Sequence, residues 1–411
     1  MRCALIGEKL AHDFSAELHG KLGLYEYALK ELAPDELGAF MRARDLDGLN
    51  VTKPYRQAVI PFLDELSAEA RAVGAVDTVV KRGDRLIGHN TYVGGMEALL
   101  RRTGVSLGGK TVLIAGSGDV SMSAAEAARR LGAAKTVRLS RSGQNGAVSY
   151  ETAYGLYSGA EIIINTTPAG MNPDADSYAV DPGRFPRLEA AADAVYDPLT
   201  TTLVRMARNR GAAAEGGLYM LSVRAVLSAE LFTGRSLDAD TADRLCRELL
   251  FEKRTIVLIG MPGSGKTTVG RLLAEKLGRS FTDTDAEAER RTGMSISDIF
   301  RLRGEKEFRD IESRIIKELS LSCGGVIATG GGAVLRKENV DALKMNGLLV
   351  FLDRPENRLV PTADRPLADD AEKIRALYKE RYPLYLAAAD VTVPTCAEPR
   401  DTAEKIAGIL K

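Results

Sequence analysis

Short runs of β-branched and apolar residues alternate with amphipathic stretches along the chain, the pattern of strands buried on both faces and covered by helices. RCALIG, TVLIAG, EIIINTT, DAVYDP, TIVLIG, GVIAT and LLVFLD are the strand candidates, which predicts α/β architecture with parallel sheets. Two of them, in TVLIAGSG and TIVLIGMPGSG, run directly into glycine-rich turns. These turns lie too far apart to share one βαβ unit, so two nucleotide-type folds are expected. RLCRELLFEKR (residues 244–254) predicts a helix leading straight into the next strand, with the junction near residue 252.

Composition narrows this picture. At about one domain per ~150 residues, a chain of 411 residues divides into two or three domains. Acidic and basic residues balance at 56 each, which leaves no basic field for nucleic acid and no acidic tail. Cys3, Cys246, Cys323 and Cys396 are scattered and form no CxxC pair, so neither a disulfide framework nor a zinc site is suggested. A reducing cytoplasm is the expected compartment, with no signal-peptide pattern and no apolar run of membrane-spanning length.

GMPGSGKTT (residues 260–268) fits G-x-x-x-x-G-K-[ST] between a strand and a helix. Gly260, Gly263 and Gly265 let the backbone curl so that N–H groups face phosphate oxygens, Lys266 reaches the outer phosphates, and the Thr267 hydroxyl can ligand Mg²⁺. Ser264 and Thr268 complete the expected ATP-binding loop. In FTDTD, Asp283 and Asp285 are expected to project from one side of a strand end, one toward the metal's water shell and one toward a substrate hydroxyl. Helix capping is the alternative. Arg309 and Glu312 share a helix face at i, i+3, so the carboxylate can orient the guanidinium. Gly330, Gly331 and Gly332 end a strand where a ligand can approach the backbone. Arg365 lies in a polar, proline-bearing segment suited to a lid. Arg381 is expected near a helix end forced by Pro383. Two arginines accompanying such a loop suggest a carboxylate-bearing substrate.

GMPGSGKTT, DTD, FRDIE, ATGGG, DRPL and RYPLY, in this order, resemble shikimate kinase over residues 254–400. The resemblance implies ATP and Mg²⁺ as partners and phosphorylation of shikimate to shikimate 3-phosphate, in chorismate and aromatic amino acid synthesis. It places Asp283 in the Mg²⁺ environment and Asp285 at the acceptor hydroxyl. Arg309 and Arg381 would hold the shikimate carboxylate, Gly330 to Gly332 would back the ring, and Arg365 would descend onto the transferring group. The lid stretch looks short, with Arg358 the candidate for stacking on adenine.

The first part of the chain reads differently. VLIAGSGDVSMSAAEAARRLG predicts a strand, a turn at Gly116 and Gly118, and a helix, while Arg141 follows the next strand, where a base suits a 2′-phosphate. Asp119 stands beside that turn and would repel a pyrophosphate. GEKLAHDFSAELHG, LNVTKPYRQAV, GAVDTVV, LIGHNTYVGG, INTTPAGM, YDPL and EGGLYML resemble shikimate dehydrogenase. The resemblance implies a two-lobed unit: a substrate domain over residues 1–92 with a closing helix near 218–250, and a Rossmann-like NADP domain over 93–217, ahead of a P-loop domain with a parallel sheet over 254–411. That family's catalytic lysine is here Arg56, and its partner aspartate is Tyr92. Asp77 replaces an asparagine and is expected near an anionic substrate, Asp13 replaces the first serine of a pair whose second is Ser15, and Arg224 replaces a glutamine. A guanidinium with a pKa above ~12 does not exchange a proton near neutrality, and Lys53, three residues away, is badly offset to replace the lysine. The dehydrogenase-like unit is therefore expected to be inactive, with NADP binding open and a homo-oligomer through this unit possible. A working bifunctional enzyme and a metabolite-binding regulatory module are the alternatives.

Overall fold

The computed structural model describes residues 1–10, 14–144, 146–359 and 371–410. The chain divides into two compact units, Met1–Leu249 and Leu250–Lys411, and the helix Thr241–Lys253 runs across that division in sequence. Asp13 and Arg365 lie outside the described residues. No helix among the described residues is long and apolar enough to cross a membrane.

The first unit contains two sheets. One comprises β1 (Arg2–Gly7), β2 (Glu26–Glu31), β3 (Gly48–Val51), β4 (Glu65–Leu66), β5 (Thr78–Arg82) and β6 (Arg85–His89), in the order β2-β1-β3-β5-β6-β4. It is mixed rather than parallel: β1 runs parallel to β2 and β3, but β5 is antiparallel to both β3 and β6. The β5–β6 pair is a hairpin closed by the two-residue turn Gly83-Asp84, with Gly83 at φ 59°.

The other sheet is wholly parallel. It comprises β7 (Thr111–Ala115), β8 (Lys135–Leu139), β9 (Ile162–Asn165), β10 (Ala190–Asp193) and β11 (Ala213–Glu215), in the order β11-β10-β9-β7-β8. Alternate residues feed two cores: Val112, Ile114, Ile162 and Ile164 enter one, and Leu113, Ala115 and Ile163 the other. The strand expected at DAVYDP instead ends at its first residue. Asp193 accepts hydrogen bonds from Val195 N–H at 3.0 Å, Thr201 O–H at 2.6 Å and the Asn165 amide at 2.9 Å, and these turn the chain away from the ladder.

The helix Leu218–Thr233 packs against the helix Thr91–Arg102 and returns to the first sheet, where Phe232 is buried with Cys3 and Val80. Gly48 is small of necessity, because a Cβ there would stand 2.4 Å from Phe232 Cδ1.

In the second unit β12 (Thr255–Ile259), β13 (Phe281–Asp283), β14 (Val326–Ala328), β15 (Gly347–Asp353) and β16 (Val391–Pro394) form a parallel sheet in the order β13-β14-β12-β15-β16. Val257 and Ile259 pack on one face with Phe351, and Ile256 and Leu258 on the other with Val350. In both parallel sheets the strand entering the glycine turn lies at the point where strand order reverses, so the turn opens into the crevice at the carboxyl edge.

Gly48→Ala is expected to destabilise the first unit by about 1–3 kcal/mol through overpacking against Phe232, read as a lower melting temperature. An unchanged transition would contradict the packing of this helix on β3.

Candidate active site and the rebuilt N-terminal cleft

In the second unit the turn after β12 is held open by Gly260, Gly263 and Gly265, at φ 148°, 80° and 92°. Gly265 caps the helix Lys266–Leu277, whose first N–H groups therefore face the loop. The Lys266 ammonium donates to Gly260 O at 2.8 Å and Met261 O at 2.9 Å, folded onto the start of its own loop. Ser264 is buried, and its Oγ lacks a hydrogen-bond partner. Thr267 and Thr268 are exposed, and Thr267 Oγ1 donates to Asp283 Oδ2 at 2.6 Å.

Asp283 and Asp285 do not both project from a strand. Asp283 ends β13 and caps the helix Thr284–Thr292, its Oδ1 accepting from the N–H groups of Asp285 (3.0 Å) and Ala286 (3.3 Å). Asp285 stands in the first turn of that helix. The capping geometry prevails because the helix N–H groups need an acceptor.

Two buried arginines face the same space. Arg309 Nη1 donates to Glu312 Oε2 at 2.8 Å, while its Nε and Nη2 reach Glu305 Oε1 at 3.3 and 3.0 Å. Burial pushes the Glu312 carboxyl up against the opposing pull of Arg309, and its Oε1 has no hydrogen-bond partner. Arg381 Nη1 donates to Gly331 O at 3.2 Å, and its buried Nε is likewise unpartnered. Pro383 does not end the helix as expected. It lies inside Ala371–Ala388, where one missing N–H is outweighed by packing of Tyr385 and Ala388 in the core. Tyr385, not singled out in the sequence, donates from its hydroxyl to Gly331 O at 2.5 Å. Its place at i, i+4 from Arg381 was the available signal.

The three glycines are fixed by close approach. A Cβ on Gly330 would lie 2.5 Å from both Asp285 Oδ1 and Glu312 Oε1, one on Gly331 2.8 Å from Pro262, and one on Gly332 2.1 Å from Arg309 Nη1. Gly263, Gly265, Lys266, Thr267, Thr268, Asp283, Asp285, Arg309, Gly330, Gly331, Gly332 and Arg381 thus border one cavity of about 240 Å³, along with Phe300 and Phe308, which sequence reasoning missed. Gly260 and Ser264 shape the loop beneath it. Arg358 is exposed on a short turn after β15.

The cleft of the first unit is organised around Arg56, in the short helix Tyr55–Ala58. Its Nη1 donates to Asp119 Oδ2 at 2.9 Å and its Nη2 to the Tyr92 hydroxyl at 2.6 Å. Arg224 stacks on the same tyrosine, its Cζ 3.4 Å from the ring centroid, and its Nη2 lies 3.6 Å from Asp77 Oδ2. Asp77 is not directed at a substrate position. It is fully buried and takes the N–H groups of Thr91 and Tyr92 and the hydroxyls of Thr91 and Thr78, satisfying the start of the helix Thr91–Arg102. Ser15, Arg56, Tyr92 and Arg224 border a cavity of about 90 Å³. Lys53 is exposed and does not line it. Gly116, at φ 126°, packs against Thr166, and Gly118 caps the helix Asp119–Arg130. Arg141 is exposed beyond β8.

Asp119 is therefore more than a charge repelling a pyrophosphate, since it is neutralised within the chain. Burial would raise its carboxyl, but the charge and hydrogen bond of Arg56 outweigh that and hold it below the usual carboxylate range. Its stabilising effect is then full above the ordinary pKa near ~3.9 and is lost as pH falls through the lowered folded value. Asp119→Asn is expected to remove this part of the acid limb in melting temperature against pH, and an unchanged limb would refute the pair.

Known proteins match both parts. A family model described as shikimate kinase covers residues 262–411, and one described as the shikimate dehydrogenase substrate binding domain covers residues 5–79. Shikimate kinase from Thermodesulfovibrio yellowstonii is 47% identical over 161 residues, 37% of this chain and 92% of that protein. Shikimate dehydrogenase (NADP(+)) from Clostridium perfringens is 31% identical over 262 residues, 60% of this chain and 97% of that protein. Among solved structures, a chorismate mutase/shikimate 5-dehydrogenase fusion from Clostridium acetobutylicum matches at 29% identity and TM-score 0.56, covering 60% of this chain and 96% of that one. Shikimate 5-dehydrogenase from Thermus thermophilus, in complex with NADP(H) and shikimate, matches at 30% identity and TM-score 0.54, covering 60% of this chain and 99% of that one. The P-loop cavity with its buried arginines thus belongs to the shikimate kinase family, fused in one chain behind a member of the shikimate dehydrogenase family.

Proposed function

We propose that the second unit, from about residue 254 onward, phosphorylates shikimate to shikimate 3-phosphate through the residues around its P-loop. We infer equally that the first unit, with its substrate lobe, Rossmann-like lobe and closing helix, has lost hydride transfer. The observation carrying the kinase reading is the convergence of Lys266, Asp285, Arg309 and Arg381 on one cavity. The unpartnered Nε of Arg381 supports a substrate carboxylate bound between the two arginines, since a buried donor without an acceptor is costly.

The loop fits a nucleotide. Its N–H groups converge at a helix start, and the buried Ser264 hydroxyl still lacks an acceptor. Lys266 would leave the Gly260 and Met261 carbonyls to meet the outer phosphates. Thr267 and Asp283, already hydrogen-bonded, would hold Mg²⁺, which when bound neutralises charge on the phosphate oxygens. Asp285 accepts the hydrogen bond of the attacking hydroxyl. Gly330 to Gly332 let the ring approach the backbone, and Arg309, braced by Glu312 and Glu305, fixes its orientation. Arg365 is assigned to the transferring group by the resemblance alone.

In the first unit, Arg56 occupies the position of the family's proton-carrying lysine, and its guanidinium is committed to Asp119 and Tyr92. Burial and these partners leave it permanently charged, the former lowering its pKa and the latter raising it further. Lys53, the nearest lysine in sequence, is exposed and does not border the cavity, so it is not placed to take over. NADP is disfavoured as well, because the helix start that would receive a pyrophosphate already carries the Asp119 carboxylate.

Lys266→Ala is expected to reduce shikimate-dependent ATP consumption by roughly 100-fold or more, with the melting temperature retained. Turnover close to that of the unaltered chain would overturn the P-loop assignment.

A further inference from the structure

We propose that the cavity of the first unit is a binding site for the phosphate group of a small hydroxylated molecule, with Arg224 as the recognising side chain. The inference rests on the reading that this unit performs no hydride transfer, and it gives the remaining space a ligand of its own.

Among the described residues, the positive charge facing the cavity comes from arginine. His19 also lines it, but burial first and Arg224 second push that ring down to about 3, so it is neutral. It stacks on Tyr27, with centroids 4.0 Å apart, and shares a 2.6 Å hydrogen bond with the Tyr25 hydroxyl. Arg56 is spent on Asp119 and Tyr92. Arg224 is not spent in this way. Its Nη2 approaches Asp77 only to 3.6 Å, and its Nε is buried with no hydrogen-bond partner. Asp77, for its part, is enclosed by four N–H and O–H donors and does not line the cavity.

Arg224 borders the cavity with only this 3.6 Å contact to Asp77 and with its Nε unmatched, so it keeps hydrogen-bonding capacity for an oxyanion. The adjoining Tyr92 hydroxyl accepts from Arg56, which polarises it and leaves its proton to donate. The ring of Tyr92 holds Arg224 in place by stacking. Asn50 and Ser228 also border the cavity and are fixed by each other: the Asn50 amide donates to Ser228 at 2.9 Å and Thr78 at 3.0 Å, and its carbonyl accepts from Tyr27 at 2.8 Å. A guanidinium and a phenol facing one anionic group suit the three terminal oxygens and double charge of a phosphate better than the two oxygens and single charge of a carboxylate. Such a group could arrive as a phosphate monoester, the class of product formed by the second unit, or as inorganic phosphate.

The test is calorimetry on the full-length chain carrying Arg381→Ala, which weakens the kinase's own substrate site. Shikimate 3-phosphate, inorganic phosphate and shikimate are titrated, each with Arg224 intact, as Arg224→Gln and as Arg224→Lys. The signal of interest is the binding that disappears with Arg224, so any residual binding at the P-loop cancels. The expected result is an Arg224-dependent site for shikimate 3-phosphate that weakens at least tenfold in Arg224→Gln and by less in Arg224→Lys, with shikimate binding little changed. Comparable Arg224-dependent affinity for inorganic phosphate would support the site with free phosphate as its ligand, and weaker affinity would support it with the monoester. Thermal melting establishes that each variant is folded, and Arg224→Lys decides if the glutamine variant is not. No Arg224-dependent binding of either phosphate, or equal dependence for shikimate, would overturn the proposal while leaving the loss of redox chemistry standing. NADPH formation from shikimate would instead overturn the reading on which it rests.

Discussion

A guanidinium taken out of water must meet acceptors, because an uncompensated buried charge costs several kcal/mol or more. Both units are arranged around that constraint. In the second unit Arg309 is met by Glu312 and Glu305, and Arg381 by the Gly331 carbonyl, yet the buried Arg381 Nε has no hydrogen-bond partner. In the first unit Arg56 is met on both sides, by Asp119 and by Tyr92. The same constraint leaves Arg381 with an unmatched donor and closes Arg56 on partners within the chain.

The comparison is sharpened by topology. Each parallel sheet delivers a strand, a glycine turn and a helix start to the point where strand order reverses, and a helix start attracts an anion. At Gly265 no side chain caps the helix start. At Gly118 the next residue, Asp119, supplies the anion from within the chain, and Arg56 neutralises it. Asp77 and Arg224 form a second acid–base contact, and Tyr92 touches both arginines. Arg56, Asp77, Tyr92, Asp119 and Arg224 therefore form one connected network. Within it Arg56 is closely met by Asp119 at 2.9 Å, while Arg224 stands 3.6 Å from Asp77 with its Nε unmatched.

How much could be read beforehand depended on how local each feature is. The P-loop was legible because strand, glycines and lysine are contiguous, and Arg309 with Glu312 because they lie one helical turn apart. Asp283 and Asp285 read as a strand end in sequence because the capping demand of the following helix is set by the fold. Pro383 reads as a helix end because the packing around Tyr385 that overrides it is tertiary. The mixed first sheet was missed although Gly83-Asp84 carries a hairpin signal. Arg56, Tyr92 and Asp119 were each singled out, yet their union was not legible, since residues 56 and 119 meet only when two lobes pack. For the same reason Asp77 was expected at a substrate, when its neighbours are the N–H groups of a helix start.

We propose that one chain joins a working shikimate kinase to a dehydrogenase-like unit without redox chemistry. The most direct test follows NADPH absorbance with shikimate and NADP⁺ while measuring ATP-dependent shikimate phosphorylation on the same full-length preparation. Rapid phosphorylation with no NADPH above background is the predicted result. NADPH formed at an ordinary enzymatic rate would contradict it and would require another group than Arg56 to carry the proton.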